Sequence, residues 1–153
     1  MTPVAGDGER LLTFEVGGAA YGLPIHDVLE VADVGRVACV PTLPRAVAGV
    51  VNHHGDALPV VSRALVFELD EAGLPAPQHL LVLGDRPADT GRVGLPVDRV
   101  LGLAHAPGLV PRGSELVAER RPIDGRVVHV LSTGRLLARV AEAIEHASPR
   151  GAH

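Results

Sequence analysis

The chain has 153 residues and a net charge of −4, it contains no lysine, and only 2% of its residues are aromatic. Its length fits one domain of roughly 100–200 residues, while its weak negative charge and few aromatic rings argue against nucleic-acid or anionic-membrane binding. The single cysteine, Cys39, excludes an internal disulfide framework. No apolar run approaches the roughly 18 residues of a membrane span, and no export signal is evident, so we expect a cytoplasmic protein without direct membrane insertion.

The domain is expected to begin after a short lead-in. Residues 1–9 are small and polar, which predicts a disordered segment. Residues 10–147 are expected to form one domain, followed by a frayed tail at 148–153.

The first predicted element is a hairpin. Alternating apolar residues indicate strands at Leu11–Val16 and Ala19–Leu23, joined by two glycines. Pro24 then suits the first turn of a helix, where its missing N–H costs nothing. Apolar residues recur from Ile25 to Ala32 at i, i+3, i+4 and i+7, which predicts a short amphipathic helix. Its polar face would carry His26, Asp27 and Glu30.

The next elements are a short strand at Val37–Val40 and a central hairpin. The apolar runs Val47–Val51 and Ala57–Val61 flank the polar segment Asn52–Gly55, whose Asn and Gly tolerate positive φ at a turn. Pro59 lies inside the second run and therefore predicts an edge strand or a bulge.

The second half of the chain reads as strands followed by a helix. A helical turn at 62–69 and a linker-like loop at 70–78 come first. Asp124-Gly125 is a strong turn signal, and Thr133 is expected to cap the final helix. The predicted strands are His79–Leu83, Arg92–Val97, Val100–Ala104, Glu119–Ile123 and Arg126–Leu131; the apolar helix positions are Leu136, Leu137, Val140 and Ile144.

The two halves resemble each other. The segment Gly22-Leu23-Pro24-Ile25 matches Gly94-Leu95-Pro96-Val97, 72 residues later, and 55–62 matches 125–132, 70 residues later. Such a repeat constrains the architecture. We infer a duplicated, mainly β protein made of two small sheets or barrels that share a core.

Several spaced motifs resemble the CheW family of bacterial chemotaxis coupling proteins. They are Gly49-Val50-Val51-Asn52, Gly55, Pro59-Val60, Val93-Gly94-Leu95 and Val97-Asp98, together with the earlier run Phe14, Tyr21-Gly22, Ile25, Val28 and Glu30-Val31. The resemblance covers about Leu11–Ile144. It implies two intertwined five-stranded β-barrel subdomains with short helices and a C-terminal helix.

The same resemblance implies a scaffold without catalysis or cofactors. Members join the cytoplasmic tips of chemoreceptors to the regulatory domain of the histidine kinase CheA. The alternative within this family is an adaptor of a non-chemotactic motility or developmental pathway. The family's partner-contact positions fall on Val28, Glu30, Gly49, Asn52, His54 and Gly55.

Two positions depart from the family pattern. The family usually has Arg where His54 stands and Asp where Ser62 stands. Arg is a permanently charged fork of five donors, whereas His offers one donor and one acceptor when neutral. Standard partner contacts are therefore in question at both positions.

A small metal-dependent enzyme is the alternative from another class. His53, His54 and Asp56 cluster at one turn, but a Zn²⁺ site needs three or four converging ligands. Adjacent residues such as His53 and His54 are expected to diverge on an extended backbone. No H-x-x-x-H, HExxH or CxxC pattern is present, so surface histidines are favoured over a metal site. Neither Ser62 nor Ser132 lies in the nucleophile elbow of a hydrolase.

Overall fold

The computed structural model describes residues 10–34, 47–84, 92–107 and 116–147. The expected lead-in, the strand at Val37–Val40 and the tail lie outside these residues. The described part is mainly β, with ten strands, two α-helices (α1, α2) and 3₁₀ turns at Ile25–Asp27 and Glu71–Gly73. The strands and helices are β1 Arg10–Val16, β2 Ala19–Pro24, β3 Val28–Asp33, β4 Val47–His53, β5 Asp56–Val61, α1 Arg63–Phe67, β6 His79–Gly84, β7 Arg92–Val97, β8 Arg99–His105, β9 Val117–Ile123, β10 Arg126–Leu131 and α2 Thr133–Ala147.

The helix predicted from Ile25 to Ala32 is wrong. Only Ile25–Asp27 form a 3₁₀ turn, and the chain then continues as strand β3. The four apolar positions fitted a helical period, but a short apolar run fits a strand equally well. Pairing with β6 decided the outcome, since Val28 lies opposite Leu83 and Val31 opposite Leu81.

The strands form two five-stranded sheets with the same topology. The first sheet has the order β8-β1-β2-β10-β9 and the second has the order β3-β6-β7-β5-β4. Adding five to the number of each strand in the first half (β1–β5) gives the strand at the equivalent place in the second half (β6–β10). Each sheet combines the first two strands of one half with the last three strands of the other. Each sheet also contains one parallel pair at the equivalent place, β10 with β2 and β5 with β7. The intertwined duplication inferred from the sequence is therefore confirmed.

The core has a shared part and one part inside each sheet. Strand β6 shows the division: Leu81 and Leu83 belong to the shared cluster, whereas Leu80 and Val82 belong to the cluster of the second sheet. Successive strand residues point to opposite faces, so a strand buried on both sides is apolar throughout. This explains the uninterrupted apolar run from Leu80 to Leu83.

Two local predictions need correction. Pro59 does not lie in an edge strand, because β5 is flanked by both β4 and β7. The register shift lies on the neighbouring strand β4, between Val47 and Gly49. The cap of α2 is Ser132, whose Oγ accepts the N–H of Arg135 at 3.2 Å, and Thr133 is the first helical residue.

A buried ion pair joins α1 to the junction between β7 and β8. The Arg63 guanidinium donates to the Asp98 carboxylate, and both residues are buried, with exposures of 3% and 7%. The other Asp98 oxygen accepts the N–H of Gly17 at 2.8 Å. Because both charges are paired and hydrogen-bonded, they can be accommodated inside the fold.

Candidate functional site

The β4–β5 hairpin ends in a tight two-residue turn. His54 and Gly55 have φ values of 53° and 89°, as expected for a type I′ turn, which matches the right-handed twist of the strands. The Asn52 side-chain oxygen accepts the N–H of Gly55 at 2.9 Å. The segment Asn52–Gly55 is therefore a fixed corner, and the predicted turn is confirmed.

Glu30 on β3 reaches this corner. Its Oε1 lies 2.8 Å from His53 Nε2 and 3.0 Å from His54 Nε2. The centres of the two imidazole rings are 4.2 Å apart. We call the three side chains of Glu30, His53 and His54 the corner cluster.

The expectation that His53 and His54 diverge is wrong. It assumed an extended backbone, on which neighbouring side chains point to opposite faces. His54 instead adopts a left-handed conformation, which breaks the alternation and brings both Nε2 atoms to one carboxylate oxygen.

The corner cluster also connects the two edges of the second sheet. Strands β3 and β4 are the outermost strands of that sheet, yet Glu30 on one contacts His53 on the other. In the first sheet, Arg121 on β9 donates to the carbonyl of Pro107, just beyond β8, at 2.7 Å. Each sheet therefore curls until its edges approach, as the resemblance to two small barrels implies.

The electrostatics of the cluster favour the ionised carboxylate. Hydrogen bonds from His54 and then from His53 hold the pKa of Glu30 below its usual value of 4.5. Exposure increases across the cluster, from 14% for the His53 side chain to 38% for Glu30 and 72% for His54. The inner histidine is thus nearly enclosed, while the outer one faces solvent.

The predicted contact residues fall into two groups. Glu30, Asn52, His54 and Gly55 meet at the corner and have at least part of their surface exposed. Val28 and Gly49 are buried, and Val28 packs in the shared core with 8% exposure, so its side chain offers a partner little surface.

His53 belongs to the corner but was not among the expected contact residues. Its adjacency to His54 was visible in the sequence. Its contact with Glu30, 23 residues earlier, was not, because that contact depends on the approach of two sheet edges. The Ser62 position, also noted for its departure from the family, directly precedes α1, and its carbonyl accepts the N–H of Val66.

A cleft of about 520 Å³ lies beside the β1–β2 turn. Three carboxylates that line the cleft accept hydrogen bonds from neighbouring groups. Glu15 accepts from Arg99 and Arg126. Asp98 accepts from Arg63, and Asp70 accepts from the N–H of Ala72. The bond from Arg99, above all, lowers the pKa of Glu15. Each of these three acids therefore holds a contact within the fold.

The chemistry at the corner is that of recognition or metal ligation. An ionised carboxylate and two imidazoles can exchange hydrogen bonds with a partner, and the same three groups can serve as metal ligands.

In the part of the chain that the structure describes, no helix is long and apolar enough to cross a membrane.

Comparisons with known proteins agree with this fold. Residues 10–141 match the family model described as a CheW-like domain. Over 101 residues the chain is 33% identical to the protein FrzA of Myxococcus xanthus, and over 104 residues it is 29% identical to the chemotaxis protein CheW of Treponema pallidum (strain Nichols). These matches cover 65% and 64% of this chain but only 60% and 59% of the relatives.

A solved structure shows the same architecture. The scaffolding protein TtCheW of Thermoanaerobacter tengcongensis aligns with a TM-score of 0.67 and 18% identity, covering 81% of this chain and 84% of the other. At this identity the likeness concerns the fold. Together with the family match over 10–141, it establishes that the chain belongs to the CheW-like domain family.

Proposed function

We propose that this protein is a non-enzymatic scaffold that couples chemoreceptor tips to the regulatory domain of a CheA-type histidine kinase. The observation that carries the proposal is the CheW-like match over residues 10–141, which spans both sheets. The protein acts in the cytoplasm and is recruited to receptor arrays at the membrane. Control of the kinase follows from linkage between two binding events.

The corner supports a role in partner binding. The proposed contacts Asn52 and His54 lie in a hydrogen-bonded turn, and Glu30 on β3 contacts His54. Binding a partner therefore costs little entropy in ordering these side chains. His54 is 72% exposed and replaces the Arg usual in the family. A His at this point gives weaker and less directional contact with a carboxylate than an Arg would.

A scaffold also needs a second surface that another partner can occupy at the same time. Strand β8, an edge of the first sheet, exposes Leu101 at 39% and Leu103 at 60%. Exposed apolar side chains on a sheet edge are typical of protein-binding surfaces. We propose that this face and the corner serve different partners.

The corner is tested with the co-encoded kinase and receptor. His54→Arg should strengthen binding to a standard kinase–receptor pair, measured by pull-down and then by titration calorimetry. The matched control is Asp124→Arg, because Asp124 occupies the equivalent turn position in the first sheet, with φ of 50°. If His54→Arg weakens binding or leaves it unchanged, the corner does not make the proposed contact. If the folded wild type binds neither protein, the scaffold proposal fails.

The alternative is an adaptor of a non-chemotactic motility or developmental pathway. The similarity to FrzA, at 33% identity, and the replacement of the family's usual Arg by His54 favour this alternative over a small metal-dependent enzyme. Binding assays against kinase and receptor pairs from each pathway of the same organism would separate the two functions. Preference for a non-chemotactic pair would support the alternative.

A further inference from the structure

We propose that the corner cluster of Glu30, His53 and His54 is a binding site for a divalent transition-metal ion such as Zn²⁺. The site would exist whether or not the protein is a scaffold. One ligand atom from each of the three side chains lies within 4.8 Å of the others. Two imidazoles and one carboxylate form a ligand set that suits Zn²⁺, whereas Ca²⁺ and Mg²⁺ prefer sets of oxygen atoms.

The distances require only a small adjustment. The two Nε2 atoms stand 2.8 and 3.0 Å from Glu30 Oε1. Ligand atoms around a tetrahedral Zn²⁺, with bonds of about 2.0–2.2 Å, are roughly 3.3 Å apart. Each contact must therefore lengthen by a few tenths of an ångström, and the exposed His54 side chain is free to move by that amount.

Metal binding would replace protons. Each Nε2 now needs a hydrogen in order to donate to the carboxylate, and the metal takes the place of that hydrogen. A neutral imidazole must then carry its single proton on Nδ1 instead of Nε2, while a protonated imidazole releases its Nε2 proton to solvent and keeps the one on Nδ1. Glu30 already stands as a carboxylate ready to ligate.

The backbone organises the ligands in advance. The left-handed conformation of His54 and the Asn52–Gly55 hydrogen bond fix the turn, so binding does not have to order a flexible loop. Because the His54 side chain is 72% exposed, water can reach a bound ion from that side. An ion held here would link β3 to β4, the two edges of the second sheet.

The first sheet provides an internal comparison. Aligning Val28 with Val100 puts Gly102 at the place of Glu30, and aligning Gly55 with Gly125 puts Ile123 and Asp124 at the places of the two histidines. The two turns have nearly the same backbone conformation: φ is 53° and 89° at His54 and Gly55, and 50° and 81° at Asp124 and Gly125. The same corner without the ligand set should bind no metal.

Titration calorimetry with Zn²⁺ on protein without a histidine tag tests the proposal. We expect binding of one ion per chain in the micromolar range, weakened about tenfold or more by His54→Gln, by His53→Gln and by Glu30→Gln. The control is His105→Gln, an exposed histidine on β8, which should leave the affinity unchanged. Co²⁺ should give the visible absorption of a tetrahedral ion with the wild type and not with His54→Gln.

Several results would overturn the metal site. They are absence of Zn²⁺ binding, binding that the three ligand variants leave unaltered, or an equal loss with the His105 control. His54 is largely exposed, so that variant should fold, as circular dichroism can verify. His54→Arg separates this proposal from the scaffold role, because it should abolish metal binding while strengthening the kinase–receptor contact.

Discussion

The two sheets share one topology but close their edges with different chemistry. The second sheet joins β3 to β4 through a carboxylate and two imidazoles, whereas the first joins β9 to β8 through Arg121 and the carbonyl of Pro107. A guanidinium keeps its charge at every physiological pH and cannot ligate a metal ion, whereas a carboxylate and two imidazoles can serve as ligands. Duplication thus supplied two equivalent corners, and only one of them carries the proposed ligand set.

The largest expected effect concerns the buried ion pair between α1 and the junction of β7 and β8. Arg63→Ala would leave the buried Asp98 carboxylate without its partner and should lower the free energy of unfolding by about 3–5 kcal/mol. Urea denaturation followed by circular dichroism measures this loss. The control is Arg99→Ala, which removes an exposed partner of Glu15 and should lower the free energy of unfolding by less than about 1 kcal/mol. Equal losses in the two variants would show that the buried pair contributes no more than an exposed one.

The next prediction tests whether the sheets are packed alike. A Cβ at Gly94 would meet Cγ, Cδ1 and Cδ2 of Leu80 at 3.1–3.2 Å, and one at Gly22 would meet Leu11 and Val128 at 3.2 Å. Both alanine variants should lose about 1–3 kcal/mol of stability, more at Gly94, where the branch point of one side chain must move.

The control for the glycine pair is Gly134→Ala in α2, where an added Cβ meets nothing within 4 Å. It should be neutral or stabilise the protein by about 1 kcal/mol. Thermal melts of the three variants measure the effects. A large loss at only one of the two strand glycines would break the equivalence of the sheets.

A smaller effect is expected at the closure of the first sheet. Arg121→Gln removes the hydrogen bond to Pro107 and the ion pair with Glu119. Both contacts are partly exposed, so the loss of stability should be about 1 kcal/mol. If hydrogen exchange in β8 and β9 does not accelerate in this variant, Arg121 does not hold the two edges together.

The subtlest prediction concerns pH at the closure of the second sheet. The pKa of Glu30 is lower in the folded protein than its usual 4.5, so the unfolded chain binds more protons in the range below that value. The contribution of Glu30 is therefore complete above about pH 4.5 and is lost as the pH falls through the folded pKa.

An NMR titration of the Glu30 carboxyl carbon measures this shift. Its midpoint should lie below 4.5 in the wild type and should rise toward 4.5 in the double variant His53→Gln/His54→Gln. An unchanged midpoint would show that the histidines do not hold the carboxylate. Arg121→Gln is the control, because it acts on the other sheet and should not move the midpoint.

The sequence was most informative where one pattern had one interpretation. Asp124-Gly125 between apolar runs predicted a hairpin that the structure confirms, and the matching Gly22 and Gly94 segments predicted the duplication. The run from Ile25 to Ala32 fitted two periods, and only pairing with β6 distinguished between them. No pattern in the sequence indicated that Arg63 is buried beside Asp98.

The candidate site was predictable in part. The corner at Asn52–Gly55 followed from turn chemistry, and the resemblance to the CheW family placed Glu30 among the contacts. Their meeting did not follow, because it depends on the approach of strands that are not neighbours in the sheet. No local pattern contains that information.

The exchange of β3–β5 and β8–β10 between the sheets has a consequence for the origin of the molecule. A half-length chain of about 70 residues could build the same architecture as a homodimer in which its last three strands join the first two strands of its partner. Fusion of two such copies would make assembly independent of protein concentration. It would also allow the sequences of the two corners to diverge, so that a histidine pair could arise in one sheet alone.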